Sequence, residues 1–135
     1  MVCLDSTFLI DFINEYRKCE TGNAVKKYHI LMENHEQIKT TIINVTELYH
    51  GAFYIGTKEA IKYVDEALSK LEILSLSYNS AKRAGSIAGH LQRTGKTVGI
   101  SDILIASIVL DADETLVTRN VKHFSRIPDL KLESY

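Results

Sequence analysis

Val2-Cys3-Leu4-Asp5-Ser6-Thr7-Phe8-Leu9-Ile10-Asp11-Phe12-Ile13 decides how the rest of the chain is read. Val2 to Leu4 is a short apolar run that stops at Asp5-Ser6, and Phe8, Leu9, Phe12 and Ile13 then recur at helical spacing. That is a strand passing directly into a helix, with Asp5 or Ser6 placed to cap it. The same hand-over recurs twice. Ile38 to Ile43 is β-branched apart from Lys39 and meets Asn44, a possible cap for a helix from Val45 to Tyr54 that carries Glu47. Late in the chain Ser101 caps an almost wholly apolar helix from Asp102 to Leu110, which its lack of a polar face places in the interior.

Between these junctions the chain alternates. Ala24 to Asn34 is a helix with Tyr28, Leu31 and Met32 on one stripe. Thr57 caps a helix in which Ala60, Ile61, Val64, Leu68 and Leu71 step at threes and fours. Ile73 to Leu76 is a strand, and Ser77 opens a long helix to about Arg93 that Gly95 to Gly99 breaks. Thr115 to Thr118 is a strand, and Leu130 to Leu132 is a last edge strand beyond Pro128. Strands alternating with helices predict a three-layer α/β/α sandwich around a central, mostly parallel sheet. With 135 residues and no linker or repeat, the chain is expected to form a single domain spanning 1–135.

Composition narrows the function classes. The formal net charge is −1, with 16 Lys and Arg against 17 Asp and Glu, so any nucleic-acid contact has to come from local basic patches. Two cysteines, Cys3 and Cys19, without a CxxC pair argue against a disulfide framework or a zinc knuckle. The N-terminus has no basic, apolar, small-residue succession of a secretory signal, and no apolar run is long enough for a bilayer. Cytoplasm is the expected compartment, with no membrane partner.

Asp5, Glu47 and Asp102 each stand where a strand gives way to a helix, and none has a basic residue next to it. In an open parallel sheet such junctions line up at the carboxyl ends of the strands, where α/β proteins bind ligands. Carboxylates gathered there repel one another unless a cation sits among them, which predicts a site for Mg²⁺ or Mn²⁺. The chemistry suited to such a set is metal-assisted attack of water on a phosphodiester. Ser6, Thr46, Ser101 and Thr118 lie beside the acids and can orient them. Each acid also has a plainer explanation, Asp5 as a helix cap and Glu47 as a complement to the helix dipole.

Four segments together resemble a known family. Leu4-Asp5-Ser6-Thr7-Phe8-Leu9-Ile10-Asp11, Thr46-Glu47-Leu48 with Gly51, Asp102-Ile103-Leu104-Ile105-Ala106, and Leu116-Val117-Thr118-Arg119-Asn120 with Phe124 are similar in order and spacing to the PIN-domain ribonucleases of the VapC toxin type. The resemblance runs from residue 2 to about residue 132. It implies a PIN-like fold, a Mg²⁺- or Mn²⁺-dependent endoribonuclease acting on RNA, a homodimer, and inhibition by a cognate VapB-like antitoxin. Asp5, Glu47 and Asp102 match the family's first three acids. At the fourth position Asn120 stands where members often carry Asp, with His123 just before Phe124 where others have an acid. Arg119 and Lys122 border Asn120 and are expected to meet RNA, while Tyr49, Phe53, Tyr54 and Tyr63 are expected to meet a partner chain. Two other readings are carried forward. One is a catalytically weak PIN-like protein-binding module, for which Asn120 speaks. The other is an aspartyl-phosphate phosphatase with Asp5 as nucleophile, against which Thr7 speaks, since a second Asp is expected there.

Overall fold

The computed structural model describes all residues, 1–135, and its elements follow the sequence pattern closely. In chain order they are β1 (Val2–Leu4), α1 (Ser6–Arg17), α2 (Asn23–Glu33), β2 (Ile38–Thr41), α3 (Ile42–Ile55), α4 (Lys58–Leu68), β3 (Glu72–Leu74), α5 (Tyr78–Arg93), α6 (Ile100–Asp111), β4 (Thr115–Val117), α7 (Val121–Phe124) and β5 (Lys131–Glu133). The five strands form one sheet in the order β3-β2-β1-β4-β5, and every pairing is parallel. The strand order, which a single sequence does not reveal, puts β1 in the centre with β2 and β4 on either side.

Alternation along the strands builds the layers. Val2 and Leu4 of β1, Ile38 of β2 and Val117 of β4 face one side, where Phe8, Leu9, Ala24, Leu31, Leu48, Ala52 and Val64 from α1 to α4 cover them. Cys3 and Leu116 face the other side and meet Ala84, Leu91, Ile103, Ile105, Ala106, Val109 and Phe124 from α5, α6 and α7. Helix α6 is buried nearly all round, as its missing polar face predicts. Thr57 and Ser77 cap α4 and α5 as expected, each accepting a backbone N–H three residues on. Gly56, at φ 79°, ends α3 in a left-handed conformation that a side chain would strain. No helix is long and apolar enough to cross a membrane.

Two sequence expectations need correction, and one element is new. Helix α3 begins at Ile42 rather than Val45, because Thr41 is its cap and forms a reciprocal capping box with Asn44. Helix α6 begins at Ile100 after Gly99, so Ser101 lies inside its first turn and is not its cap. The four-residue α7 was not anticipated. Its single apolar anchor, the fully buried Phe124, gives too short a period to read in sequence.

At the amino ends of the strands, away from Asp5, lies a buried ion pair. Lys39 interrupts the apolar pattern of β2, and its Nζ stands 2.7 Å from Oε1 of Glu114, whose side chain is wholly buried. No hydrogen-bond donor reaches either Glu114 oxygen from elsewhere. Contact with Glu114 raises the Lys39 pKa, and burial of the thiol pushes that of neighbouring Cys3 far above its ordinary range. Losing one partner of such a pair costs about 3–5 kcal/mol, whereas an apolar pair of similar volume is close to neutral. Lys39→Met is therefore expected to lower the unfolding free energy by about 3 kcal/mol or more in urea titrations. Adding Glu114→Leu to it recovers most of that loss. Equal losses in single and double variants would show that the pair is not what matters.

Candidate active site

The carboxyl ends of β1 and β4 form the crevice of the sheet at its topological switch point, the usual ligand position in this architecture. Asp5 stands at that crevice, 3% exposed, with extended backbone whose N–H donates to the Val117 carbonyl at 3.0 Å. It occupies the N-cap position of α1, yet its side chain caps nothing. Instead Oδ2 accepts hydrogen bonds from Thr118 Oγ1 at 2.7 Å and Thr7 Oγ1 at 3.1 Å, and Oδ1 accepts one from Asn44 Nδ2 at 3.0 Å. The capping explanation for Asp5 fails on this geometry. No Lys, Arg or His pairs with it.

Asn44 is the residue that sequence reasoning missed. Its Oδ1 accepts from the Thr41 hydroxyl at 2.7 Å, which turns Nδ2 toward both Asp5 and Ser6 Oγ, the latter at 2.8 Å. The Thr-x-x-Asn spacing of Thr41 and Asn44 was the available signal. Ser6 in turn donates to Glu47 Oε1 at 2.8 Å. Glu47 is half-buried, and desolvation raises its pKa above the ordinary value. The negative charges of Asp5 and Asp102 push the same way, against hydrogen bonds from Ser6 and Ser101. The three acids drawn from opposite ends of the sequence thus meet in one electrostatic neighbourhood.

Asp102 sits in the first turn of α6, partly exposed, with Oδ2 3.1 Å from His123 Nδ1 of α7. Asn120 lies between β4 and α7. Its N–H donates to Thr118 Oγ1 at 2.9 Å, and its side chain makes no capping bond. With the side chains so disposed, no three His, Cys, Asp or Glu groups converge closely enough to clasp an ion. Of the four hydroxyls expected to support the acids, Ser6, Ser101 and Thr118 do so, whereas Thr46 turns back to the Ile42 carbonyl.

A second network braces the crevice from outside. Arg119 donates its backbone N–H to Thr7 Oγ1 at 3.1 Å and makes a forked contact from Nη1 to Asp11 at 3.0 and 2.8 Å. The Tyr135 hydroxyl donates to the same Asp11 carboxylate at 2.6 Å, and its ring packs edge-on against Phe8. Burial and this bond hold the Tyr135 pKa far above its usual range. The Arg119 guanidinium, expected to meet RNA, pairs with Asp11, which lies one turn beyond Thr7 on the same face of α1, and stays largely exposed. Lys122 is exposed and pairs with no acid.

Near Glu47 an apolar groove of about 240 Å³ opens between α1, α3 and α4, lined among others by Ile10, Leu48, Ile55 and Tyr63. A neighbouring hollow of about 320 Å³ between α1, α2 and α4 is lined by Leu9, Phe12, Tyr16, Tyr28 and Tyr63. Phe53 and Tyr54 are exposed, while the Tyr49 hydroxyl bonds Asp65.

The profile of the PIN domain matches residues 2–130. Ribonuclease VapC2 of Rickettsia felis is 35% identical over 133 residues, covering 98% of this chain and 96% of that protein. The tRNA(fMet)-specific endonuclease VapC of Salmonella typhimurium is 31% identical over 94 residues, 69% of this chain and 71% of that one. Among solved structures, VapBC2 from Rickettsia felis bound to a DNA fragment from its promoter superposes with a TM-score of 0.88 at 31% identity. That match covers 100% of this chain and 99% of the other. DNA-bound VapBC from Salmonella typhimurium gives 0.83 at 24% identity over 99% and 98%, a likeness of fold.

The raised Glu47 pKa has a consequence for stability. An acid whose pKa is higher in the folded state costs stability once it ionises, so the cost is present above the folded pKa and absent below the ordinary value of 4.5. In metal-free buffer at pH 7, Glu47→Gln is expected to melt about 2 °C higher than the parent chain. The gap should close below pH 4.5. A variant that melts lower at pH 7 would contradict the burial and repulsion that raise this pKa.

Proposed function

This chain belongs to the PIN-domain family and, within it, to the VapC ribonucleases, and from that premise we propose that it is an endoribonuclease dependent on Mg²⁺ or Mn²⁺. The observation that carries the proposal is that Asp5 and Asp102 stand near enough to Glu47 at one crevice for their charges to act on it, with no cation of the protein paired to Asp5 or Glu47. Three carboxylates facing one crevice are the donor set of a hard divalent ion. Asp5 and Asp102 would hold the ion, with Glu47 as a third ligand or a group that orients water. Bound there, the ion supplies positive charge against a phosphodiester and an acidified water.

The rest of the chemistry falls to the protein. Thr118 and Thr7 occupy Oδ2 of Asp5 and Asn44 one position on Oδ1, which fixes the carboxylate and leaves Oδ1 an acceptor site that no protein donor fills. Glu47, which holds its proton more tightly than a free glutamate, is the group suited to take one from an attacking water. Asn120 offers a carbonyl oxygen and an amide but no charge. Lys122 and Lys96, both exposed, are the local cations available to phosphates of the RNA backbone.

The functional assignment extends to partners. The relatives solved as VapBC complexes support a VapB-like antitoxin for this chain, making it the toxin of such a pair. We place the antitoxin's apolar segment in the groove between α1, α3 and α4, whose rim reaches Glu47. A homodimer and a cytoplasmic setting belong to the same proposal.

Two measurements test it. Antitoxin-free protein is expected to cut RNA with Mg²⁺ or Mn²⁺ and stop in EDTA, and Asp5→Asn or Asp102→Asn should each slow cutting by about 100-fold. Folded variants that cut at the parent rate would remove these acids from the site. For the groove, Ile55→Asp changes an exposed side chain. It should weaken binding of the antitoxin encoded beside this gene by about tenfold while leaving RNA cutting intact, and unchanged binding would place the antitoxin elsewhere.

A further inference from the structure

His123 is the only one of the five histidines whose ring meets a carboxylate. It comes from α7, whose position is fixed by the fully buried Phe124 beside it. The imidazole itself is 43% exposed and makes no other side-chain bond. It is therefore not a core group satisfying a local need. Its one contact is with Asp102, an acid of the crevice.

The separation of the two atoms is informative. His123 Nδ1 and Asp102 Oδ2 are 3.1 Å apart. Two donors bound at right angles to one ion, each at about 2.1 Å, stand about 3.0 Å from each other. The contact is a hydrogen bond in this structure, and its spacing also fits adjacent ligands of a single cation once that bond is exchanged for the ion. A nitrogen donor also changes what the crevice prefers. Carboxylates and water suit Mg²⁺, whereas imidazole favours later first-row ions, and Mn²⁺ accepts both kinds of donor.

We infer that His123 is a direct nitrogen ligand of the catalytic cation, alongside Asp102, and that this mixed site selects Mn²⁺ over Mg²⁺. The inference rests on the metal-dependent reading above. Asn120, close in sequence but neutral and weakly donating, is then an outer group, and the fourth corner of the site is filled by nitrogen rather than by a fourth acid. Because His123 is well exposed, replacing it does not open the core.

Electron spin echo spectroscopy of Mn²⁺ added to the full chain at constant neutral pH tests this without any activity. The expected result is ¹⁴N modulation from a directly bound nitrogen in the parent chain, absent in His123→Asp although Mn²⁺ still binds. Calorimetry on the same samples should show the ratio of Mn²⁺ to Mg²⁺ affinity falling about tenfold in that variant. Mn²⁺ that binds through Asp5 and Asp102, as judged by its loss in Asp5→Asn and Asp102→Asn, but without ¹⁴N modulation overturns the ligand role alone. So does modulation that persists in His123→Asp. No uptake of Mn²⁺ by the parent chain overturns both the ligand role and the metal-dependent reading.

Discussion

A carboxylate buried to 3% exposure, with no cation of the protein beside it, is the constraint around which this fold is arranged. Taking such a charge from water costs several kcal/mol, and each hydrogen bond to it returns about 1.5–3 kcal/mol. The three bonds to Asp5 come from three separate places: Thr7 on α1, Asn44 on α3 and Thr118 at the end of β4. Those donors can reach one carboxylate only if β4 pairs with β1 on one side and β2 leads into α3 on the other. The order β3-β2-β1-β4-β5 satisfies that requirement. The three bonds satisfy the buried carboxyl group without supplying opposite charge, which leaves that role in the crevice to a cation.

The two ends of the sheet handle buried charge in opposite ways. At the amino ends Lys39 and Glu114 cancel each other inside the protein, leaving an inert pair. At the carboxyl ends Asp5 and Glu47 have no cationic partner, and burial, reinforced by the charges of Asp5 and Asp102, raises the Glu47 pKa. A fold that pairs its buried charges at one end of the sheet and leaves Asp5 and Glu47 without a cation at the switch point has that second end marked by electrostatics.

How much of this could be read in the amino acids depended on the range of the signal. Strand and helix periods, the Thr57 and Ser77 caps and the positions of the three acids are local, and each appears in a short window of sequence. The family resemblance added the expectation of a PIN-like fold, which the matched residues 2–130 bear out. What stayed hidden was non-local. Asn44 looked like a helix cap and is one half of a capping box, but its second role depends on Asp5 lying 39 residues away in the chain. The pairing of Arg119 with Asp11, which also accepts from Tyr135, joins residues from the two ends of the chain and shows in no short window of sequence. Ser101 was misread because a helix may start on Gly99 with no side-chain cap at all.

The central claim is that Asp5 and Asp102, far apart in sequence, share one divalent ion. Anomalous diffraction from crystals grown with Mn²⁺ tests it most directly. The account predicts a single anomalous peak in the crevice, bonded at about 2.1–2.3 Å to carboxylate oxygens of both Asp5 and Asp102. Crystals that take up Mn²⁺ only elsewhere on the surface, or place it against one of these acids and out of reach of the other, would contradict it.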